Sequence, residues 1–430
     1  MVETLIFRHA LLPEGWVENV SLTIADGNIT SVERGIPGGT GIALPGMPNL
    51  HSHSFQRAMA GYAELRGPGA DSFWTWRELM YRLALGMNPD DVQAVATQAF
   101  VEMLEGGYTA VAEFHYLHHA PDGTPYTDIA EMAARLTAAA EATGIELLLL
   151  PVFYAHAGFG GTAPLPEQRR FINSLDAYAE LYERCATLAP SGIAPHSLRA
   201  ATPEELRALT TLAGTRPLHI HIAEQTAEVE ACLAWSGLRP VEYLLRHAPV
   251  APNWCLVHAT HVTPTEATGI AASGAVVGLC PLTEANLGDG IFPAHDFPGA
   301  FGIGSDSNVL IDAGRELQML EYSQRLAQHQ RNVMASATIR PTATAMYQRA
   351  LAGGAQAMGL QTGLAPGAPA SLVTIAGDDP DTTLAQAVFT ARTPAIRDVW
   401  VRGRRVVAEG RHHLAASARA GFGAAVKRLV

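Results

Sequence analysis

Alternating apolar and polar positions mark short strands at both ends of the chain. Residues 4–34 contain three such runs, and Asp26-Gly27 between the second and the third is typical of a tight hairpin turn. Residues 371–408 alternate in the same way. Two sets of antiparallel strands predict one small β-sandwich domain that combines residues 1–45 with residues 366–430. Two separate hairpins are the alternative.

The central residues, 46–365, show a different pattern, in which short apolar runs alternate with helical stretches. Capping residues mark helix starts, such as Thr202 followed three positions later by Glu205. Eight runs are typical of strands, namely Ile42–His51, Ala110–His115, Leu147–Phe153, Gly192–His196, Leu218–Ala223, Trp254–Ala259, Ala275–Cys280 and Phe301–Ser305. The alternation predicts a parallel sheet, and eight units predict a closed (β/α)8 barrel of the TIM type within the α/β class.

Titratable or ligand-type residues follow seven of the eight predicted strands, whereas the strand bodies are apolar. In a barrel of this kind the active site forms at the carboxyl ends of the strands, so these residues are expected to share one rim. They are His51 and His53, His115 and Tyr116, Tyr154 and His156, His196, His221 and Glu224, His258, and Asp306. Random placement of 17 histidines would not select this rim, so the pattern indicates a functional site.

The spacing of His51 and His53 indicates a metal site, because side chains two positions apart on a strand share a face. His221 and Asp306 could complete the ligand set, since the first and eighth strands become neighbours when the barrel closes. Imidazole and carboxylate ligands favour Zn²⁺ and also suit Fe²⁺ or Mn²⁺. The alternative for an isolated His-x-His pair is two unrelated surface histidines.

Lys427 is the one lysine of the chain, and the fourth predicted strand has none. A carboxylated lysine on that strand, which bridges two metal ions in some barrels, is therefore not available, and one ion per subunit is expected. Such an ion lowers the pKa of its bound water to about 7 and so favours hydrolysis. Glu224, His258 and Asp306 are the candidate catalytic proton carriers. A helix-capping role for Glu224 and a packed core position for His258 are the alternatives.

Composition limits the partners and the compartment. With a net charge of −12 and a pI of about 5.8, the chain is not expected to bind nucleic acid or an anionic membrane. No apolar run reaches the roughly 18 residues of a membrane helix, and the first residues do not resemble a signal peptide. These two observations predict a soluble, cytoplasmic protein. The four cysteines form no Cys-x-x-Cys pair, which predicts reduced thiols.

The residues from Pro48 to His53, His221-x-x-Glu224, His258 and Ser305-Asp306 together resemble the amidohydrolase superfamily, specifically its mononuclear deaminase branch. The resemblance spans nearly the whole chain and implies the same barrel, the same metal ligands and a homodimer. Local residues are similar to those of members that hydrolyse N-formimino-L-glutamate to N-formyl-L-glutamate and ammonia in histidine degradation. This resemblance implies a substrate-binding set of Gln56, Arg77, Tyr116, His196 and Arg199.

The chemistry of this set suits a small anionic substrate with two carboxylates. Arg77 and Arg199 carry planar guanidinium groups that can bind carboxylates bidentately, which gives an acidic protein a local site for an anion. Gln56, Tyr116 and His196 would supply neutral hydrogen bonds to the amidine and the backbone of the substrate.

Other functions are compatible with the metal ligands. A related aminohydrolase acting on a purine-, pterin- or triazine-like ring would have a flat aromatic slot in place of the two arginines. Metal-dependent isomerase or lyase chemistry is a further alternative, and a non-catalytic barrel would normally lack a ligand. Two long segments after the first and third strands, residues 57–89 and 155–168, are expected to be loops that close over the substrate.

Overall fold

The computed structural model describes residues 2–66, 69, 72–391 and 395–430. In these residues the strands of a terminal sheet are β1 Val2–Leu12, β2 Gly15–Ala25, β3 Asn28–Arg34, β4 Ile42–Pro45, β13 Leu372–Ile375, β14 Ile396–Val401, β15 Arg404–Ala408 and β16 Arg411–His412. The strands of a barrel are β5 Met47–Ser52, β6 Tyr108–His115, β7 Glu146–Phe153, β8 Ala194–Pro195, β9 Leu218–Ile222, β10 Trp254–His258, β11 Val276–Leu279 and β12 Ala300–Ile303.

The terminal sheet has the order β16-β15-β14-β13-β4-β1-β2-β3. Asp26 and Gly27 form the predicted turn between β2 and β3. Both have positive φ angles, 49° and 80°, which a two-residue hairpin turn of type I′ requires at both central positions. Strand β4 joins the two ends of the chain, because it pairs with β1 on one side and with β13 on the other. Apolar side chains from both ends form one core, including Leu22 and Trp400.

The barrel consists of two four-stranded parallel sheets, β5 to β8 and β9 to β12. One seam between them is bridged at Ser52 and Asp306, and the other at Ile193 and Leu218. The sheets therefore close into a cylinder with the first strand beside the eighth. The predicted α/β class, with a (β/α)8 barrel and a composite terminal β-domain, is confirmed.

The prediction of one continuous strand over Ile42–His51 is wrong. Ile42–Pro45 belongs to the terminal sheet, and the barrel strand starts at Met47. The chain changes sheets at Gly46, where a Cβ atom would clash with the side chain of Thr109. Glycine is therefore required at this point, because the backbone passes too close to β6 for any side chain.

The helices of the described residues are α1 Phe73–Gly86, α2 Pro89–Glu105, α3 Glu131–Thr143, α4 Leu175–Ala186, α5 Pro203–Ala213, α6 Thr226–Ser236, α7 Pro240–His247, α8 Pro264–Ser273, α9 Pro281–Leu287, α10 Ala313–Gln328, α11 Thr342–Met358, α12 Pro380–Phe389 and α13 Ala415–Leu429. The predicted cap of α5 is confirmed, because the Thr202 side chain accepts from Glu205 N and Glu205 in turn accepts from Thr202 N. None of these helices is long and apolar enough to cross a bilayer.

The segment 57–89 is not simply a loop, as was expected, because it contains α1 and part of a 3₁₀ turn at Ser54–Met59. Within that segment, residues 67, 68, 70 and 71 lie outside the described part of the chain. The segment 155–168 has little regular structure and ends in a 3₁₀ turn at Pro166–Gln168. Arg77 is thus carried by a helix packed over the barrel mouth.

Candidate active site

Four metal-ligand side chains meet at the carboxyl ends of the barrel strands. His51 Nε2 lies 3.2 Å from His53 Nε2 and 3.0 Å from His221 Nε2. Asp306 Oδ1 lies 3.3 Å from His53 Nε2 and 3.5 Å from His51 Nε2. One ligand atom of each residue lies within 4.8 Å of all the others, and all four residues are buried. The structure therefore brings together the whole group that the sequence predicted, from β5, β9 and the turn after β12.

The hydrogen bonds behind this cluster determine which atoms face its centre. His53 Nδ1 lies 2.8 Å from the carbonyl of Phe114, and His221 Nδ1 lies 3.1 Å from the carbonyl of His196. A carbonyl only accepts, so each Nδ1 carries the hydrogen and each Nε2 presents a lone pair. Burial lowers the pKa of both imidazoles, and it lowers the pKa of His51 to about 3, so all three are neutral.

This donor set fits a divalent cation. Imidazole lone pairs and a carboxylate oxygen that face one another within 3.5 Å repel each other unless a positive charge lies between them. Burial alone would raise the pKa of Asp306, but the neighbouring imidazoles of His51 and His258 outweigh it and lower that pKa. Asp306 is therefore an anionic carboxylate beside neutral imidazoles, a combination that suits a divalent cation.

A buried polar network holds Asp306 against the first barrel strand. Asp306 and Asn308 both have positive φ angles, 44° and 57°, which redirect the chain directly after β12. Asn308 Nδ2 donates to the carbonyls of His53 at 3.0 Å and Asp306 at 2.9 Å. Asn49 Nδ2 donates to Ser305 Oγ at 2.7 Å, and Ser305 Oγ donates to Asn308 Oδ1 at 2.7 Å. The strained turn is thus fixed by groups from both sides of the seam.

His258 and Glu224 lie next to the ligand cluster. His258 Nε2 is 3.9 Å from Glu224 Oε1 and 3.8 Å from Asp306 Oδ2. Burial would lower the pKa of His258, but Glu224, Glu284 and Asp306 together raise it to about 10. Burial raises the pKa of Glu224 to about 7. Near neutral pH the site therefore contains an imidazolium and a carboxyl group able to hold or release a proton.

Glu284 is a residue of this site that the sequence did not single out. Its Oε1 lies 3.3 Å from His258 Nδ1 and accepts from the backbone nitrogen of Cys280 at 2.9 Å. It projects from the first turn of α9, after the seventh barrel strand, which was the one strand end without a predicted functional residue. No sequence motif identifies Glu284, because its place in the site depends on its contact with His258 of β10.

A cavity adjoins the ligand cluster, and the other predicted residues line it. Glu224 and His258 line the cavity, and so do all five predicted substrate-binding residues, Gln56, Arg77, Tyr116, His196 and Arg199. Gln56 Nε2 donates to Tyr116 Oη at 2.8 Å, while Gln56 Oε1 is buried and has no partner among the described residues. A buried amide oxygen without a partner indicates that a hydrogen-bond donor of a bound ligand could lie beside it.

Two other strand-end histidines do not join the site. His115 is buried next to His118, with ring centroids 5.0 Å apart, and does not line the cavity. His156 pairs with Glu205 at 2.9 Å, at the start of α5. His219 does not join the site either, since its Nε2 lies 2.8 Å from the carbonyl of Ala357 on α11.

Comparisons with known proteins agree with this geometry. The family model described as Amidohydrolase family matches residues 42–406, and the model described as Formimidoylglutamate deiminase HutF, N-terminal domain, matches residues 4–41. The formimidoylglutamate deiminase of Pseudomonas aeruginosa is 50% identical, over 94% of each chain. The chain belongs to the formimidoylglutamate deiminase family of amidohydrolases. It is a hydrolase that acts on C–N bonds.

Solved structures extend the comparison to the fold. An amidohydrolase from Brucella melitensis is 50% identical, with a TM-score of 0.96 and 99% of each chain covered. An adenosine deaminase from Xanthomonas campestris with bound zinc has a TM-score of 0.80 at 21% identity, over 99% of this chain and 98% of that one. The formimidoylglutamate deiminase family thus shares its barrel with a deaminase that acts on a ring.

Proposed function

We propose that this protein hydrolyses N-formimino-L-glutamate to N-formyl-L-glutamate and ammonia, a reaction of histidine degradation. The observation that supports this most directly is a single cavity that joins the metal-ligand cluster to Arg77 and Arg199. The name of the Pseudomonas aeruginosa relative supports the same substrate. A linear substrate with two carboxylates would place its formimino group at one end of such a cavity and its negative charges at the other.

For the cofactor we propose one Zn²⁺ per subunit, held by His51, His53, His221 and Asp306, with Fe²⁺ or Mn²⁺ as alternatives. Such an ion, when bound, lowers the pKa of a water molecule and supplies a nucleophile at neutral pH. The neutral imidazoles and the anionic carboxylate support this choice of metal. The zinc in the Xanthomonas campestris structure supports it by analogy.

For catalysis we propose roles that the protonation states of Glu224 and His258 support. The carboxylate of Asp306 accepts a proton from the attacking water, and the His258 imidazolium stabilises the negative charge that develops on oxygen. The water oxygen adds to the formimino carbon and gives a tetrahedral intermediate. The protonated Glu224 and then the protonated Asp306 each donate one proton to the departing nitrogen. The hydroxyl proton of the intermediate passes to Glu224 as the C=O bond forms, and the C–N bond breaks to release ammonia. The raised pKa of Glu224, about 7, supports its role as the acid.

For substrate binding we propose that Arg77 and Arg199 hold the two carboxylates. Arg199 Nε is buried without a partner among the described residues, which supports an anionic ligand beside it. Gln56, Tyr116 and His196 would orient the amidine and the backbone. The unpartnered Gln56 Oε1 can accept an amidine N–H, and burial keeps His196 neutral by lowering its pKa.

The remaining proposals concern the whole molecule. We propose domain limits at residues 1–45, 46–365 and 366–430, which the change of sheet at Gly46 supports. We propose a homodimer, and exposed apolar side chains such as Leu326 on α10 are compatible with a contact surface. We propose a cytoplasmic location, since the four cysteines are buried and unpaired.

An assay of ammonia release tests the substrate. The purified, zinc-loaded protein is expected to release ammonia and N-formyl-L-glutamate from N-formimino-L-glutamate, and not to deaminate guanine or adenosine derivatives. Turnover of a ring substrate in preference to the linear amidine would overturn the proposal in favour of a ring aminohydrolase. Metal analysis of the same preparation is expected to give one zinc per chain.

A further inference from the structure

Gln168 connects two tyrosines that line the substrate cavity. It ends the 3₁₀ turn after β7 and is completely buried. Gln168 Oε1 accepts from the backbone nitrogen of Leu165 at 2.8 Å. Because a backbone N–H can only donate, this bond fixes the orientation of the amide. Gln168 Nε2 therefore faces the two hydroxyl oxygens, at 3.1 Å from Tyr81 and 2.8 Å from Tyr154.

A count of the hydrogen atoms shows how many hydrogen bonds the two tyrosine hydroxyls can still donate to a ligand. The amide of Gln168 gives one hydrogen to each hydroxyl oxygen, and each hydroxyl has a single hydrogen of its own. At most one of these two hydrogens can be used between Tyr81 and Tyr154, so at least one remains for another acceptor. Burial raises the pKa of Tyr154, which keeps its hydroxyl protonated at neutral pH.

The surroundings place this spare donor at the arginine end of the cavity. Both tyrosines line the same cavity as Arg77 and Arg199. Tyr81 follows Arg77 by one turn of α1, and the Arg77 guanidinium carbon lies 5.5 Å from the centre of the Tyr81 ring. The Tyr154 ring packs against His196, with centroids 4.6 Å apart, which limits its movement.

We propose that Tyr81 and Tyr154, oriented by Gln168, donate hydrogen bonds to a carboxylate of the substrate beside Arg77 and Arg199. This inference rests on the proposed function, which supplies a dicarboxylate substrate. A carboxylate only accepts hydrogen bonds, so it satisfies hydroxyl and guanidinium donors together. A ring substrate that presents N–H groups would place these hydrogen-bond donors against the donating tyrosine hydroxyls, which is unfavourable. Tyr81 and Tyr154 therefore determine the specificity for the substrate as well as the affinity.

Single-atom deletions test the pair. In Tyr154→Phe and Tyr81→Phe, the KM for N-formimino-L-glutamate is expected to rise by about 10-fold, with kcat within about 2-fold of wild type. Tyr347→Phe is the matched control, because Tyr347 is also buried but donates to the carbonyl of Pro45, away from the cavity. A KM within about 2-fold of wild type in both cavity variants would overturn the proposal.

Variants of Gln168 test the positioning role. In Gln168→Glu the new carboxylate would accept from both hydroxyls and turn their hydrogens away from the substrate. Its KM is expected to rise more than that of Gln168→Leu, which removes the amide without recruiting the hydroxyls. The opposite order would contradict the orienting role. Should either variant fail to fold, the tyrosine variants and the control decide the question.

Binding of a simple dicarboxylate separates this inference from the proposed function. Glutarate binding to the zinc-loaded protein can be measured by calorimetry in wild type, Tyr154→Phe and Tyr347→Phe. The Tyr154 variant is expected to bind glutarate about 10-fold more weakly, and the control as wild type. No turnover of formiminoglutamate by wild type would refute the proposed function, whereas equal glutarate affinity in all three proteins would refute the donor pair.

Discussion

The two ends of the active-site cavity are built in different ways. At the metal end, side chains come from the ends of parallel strands, and left-handed residues such as His258 and Asp306 turn the chain directly beneath the ligands. At the arginine end, Arg77 comes from α1 and Gln168 from the segment after β7, both outside the barrel wall. The first end is set by the closed sheet alone. At the second end, α1 and the segment after β7 add to residues that follow barrel strands, such as Arg199 after β8.

This difference indicates which end can change without loss of the barrel. Moving a metal ligand requires a change in the register of a strand that pairs on both sides, whereas α1 and the segment after β7 can vary as surface connections do. The adenosine deaminase of Xanthomonas campestris has the same fold at 21% identity. We therefore expect mutations at the metal end to abolish chemistry and mutations at the arginine end to alter substrate binding.

The largest effect is expected from His221→Ala. Loss of one of the four ligands should remove the metal and reduce ammonia release by about 10³-fold or more. His219→Gln is the control, because His219 lies two residues earlier on β9, contacts the carbonyl of Ala357 on α11 and does not belong to the ligand cluster. Metal analysis and activity measurements on both variants check this prediction. Retention of stoichiometric zinc by the His221 variant would contradict the assigned ligand set.

Glu224→Gln should separate metal binding from proton transfer. The variant is expected to keep its zinc, since Glu224 does not belong to the ligand cluster, but kcat should fall by about 10²- to 10⁴-fold. Steady-state kinetics together with metal analysis give both quantities. A Glu224 variant with near wild-type turnover would remove the residue from the mechanism.

Arg199→Met tests the other end of the cavity. Its KM for formiminoglutamate should rise by about 10- to 100-fold with a smaller change in kcat, because a charge-assisted contact to a carboxylate is lost. Arg216→Met, an exposed arginine on the outside of the molecule, should behave as wild type. A fall in kcat without a change in KM would indicate instead that Arg199 acts in the chemical step and not in substrate binding.

The smallest effect on turnover is expected from Glu113→Gln, which probes stability at the metal end. Burial raises the pKa of Glu113 to about 7, and its Oε1 accepts from Ser54 N at 2.7 Å. Because the folded protein keeps this proton while the unfolded chain loses it near pH 4.5, stability should fall as the pH rises from about 4.5 to 7.

The glutamine is neutral at every pH, so it should remove about 3 kcal/mol of that pH dependence. Urea unfolding of wild type and Glu113→Gln at pH 5 and pH 8 measures the difference. The same pH dependence in both proteins would show that the carboxyl group ionises normally in the folded state.

The sequence predicted the metal end better than the arginine end, for a physical reason. His51, His53 and Asp306 lie at the ends of apolar runs, and His51 and His53 are two positions apart. The closure of a barrel brings such strand ends together whatever the intervening sequence. The same rule also selected His115 and His156, which lie elsewhere. The direction of these two side chains depends on local packing, which the spacing of apolar residues in the sequence does not predict.

Residues that act through contacts distant in sequence were not recognisable. Gln168 acquires its role only when α1 brings Tyr81 next to it, 87 positions earlier in the chain. Glu284 acquires its role from His258 on another strand. The break at Gly46 was missed because the apolar run continues across it, and the need for glycine arises from β6, 63 residues later in the chain.

The two seams of the barrel have a mechanical consequence. Each half-barrel supplies two of the four ligands, His51 and His53 from one half and His221 and Asp306 from the other. A cation held by this set would therefore add a cross-link between halves that also meet through backbone bridges and through the buried network of Asn49, Ser305 and Asn308. Metal uptake and cohesion of the cylinder are thermodynamically coupled, so a chelator should lower the unfolding temperature as well as the activity.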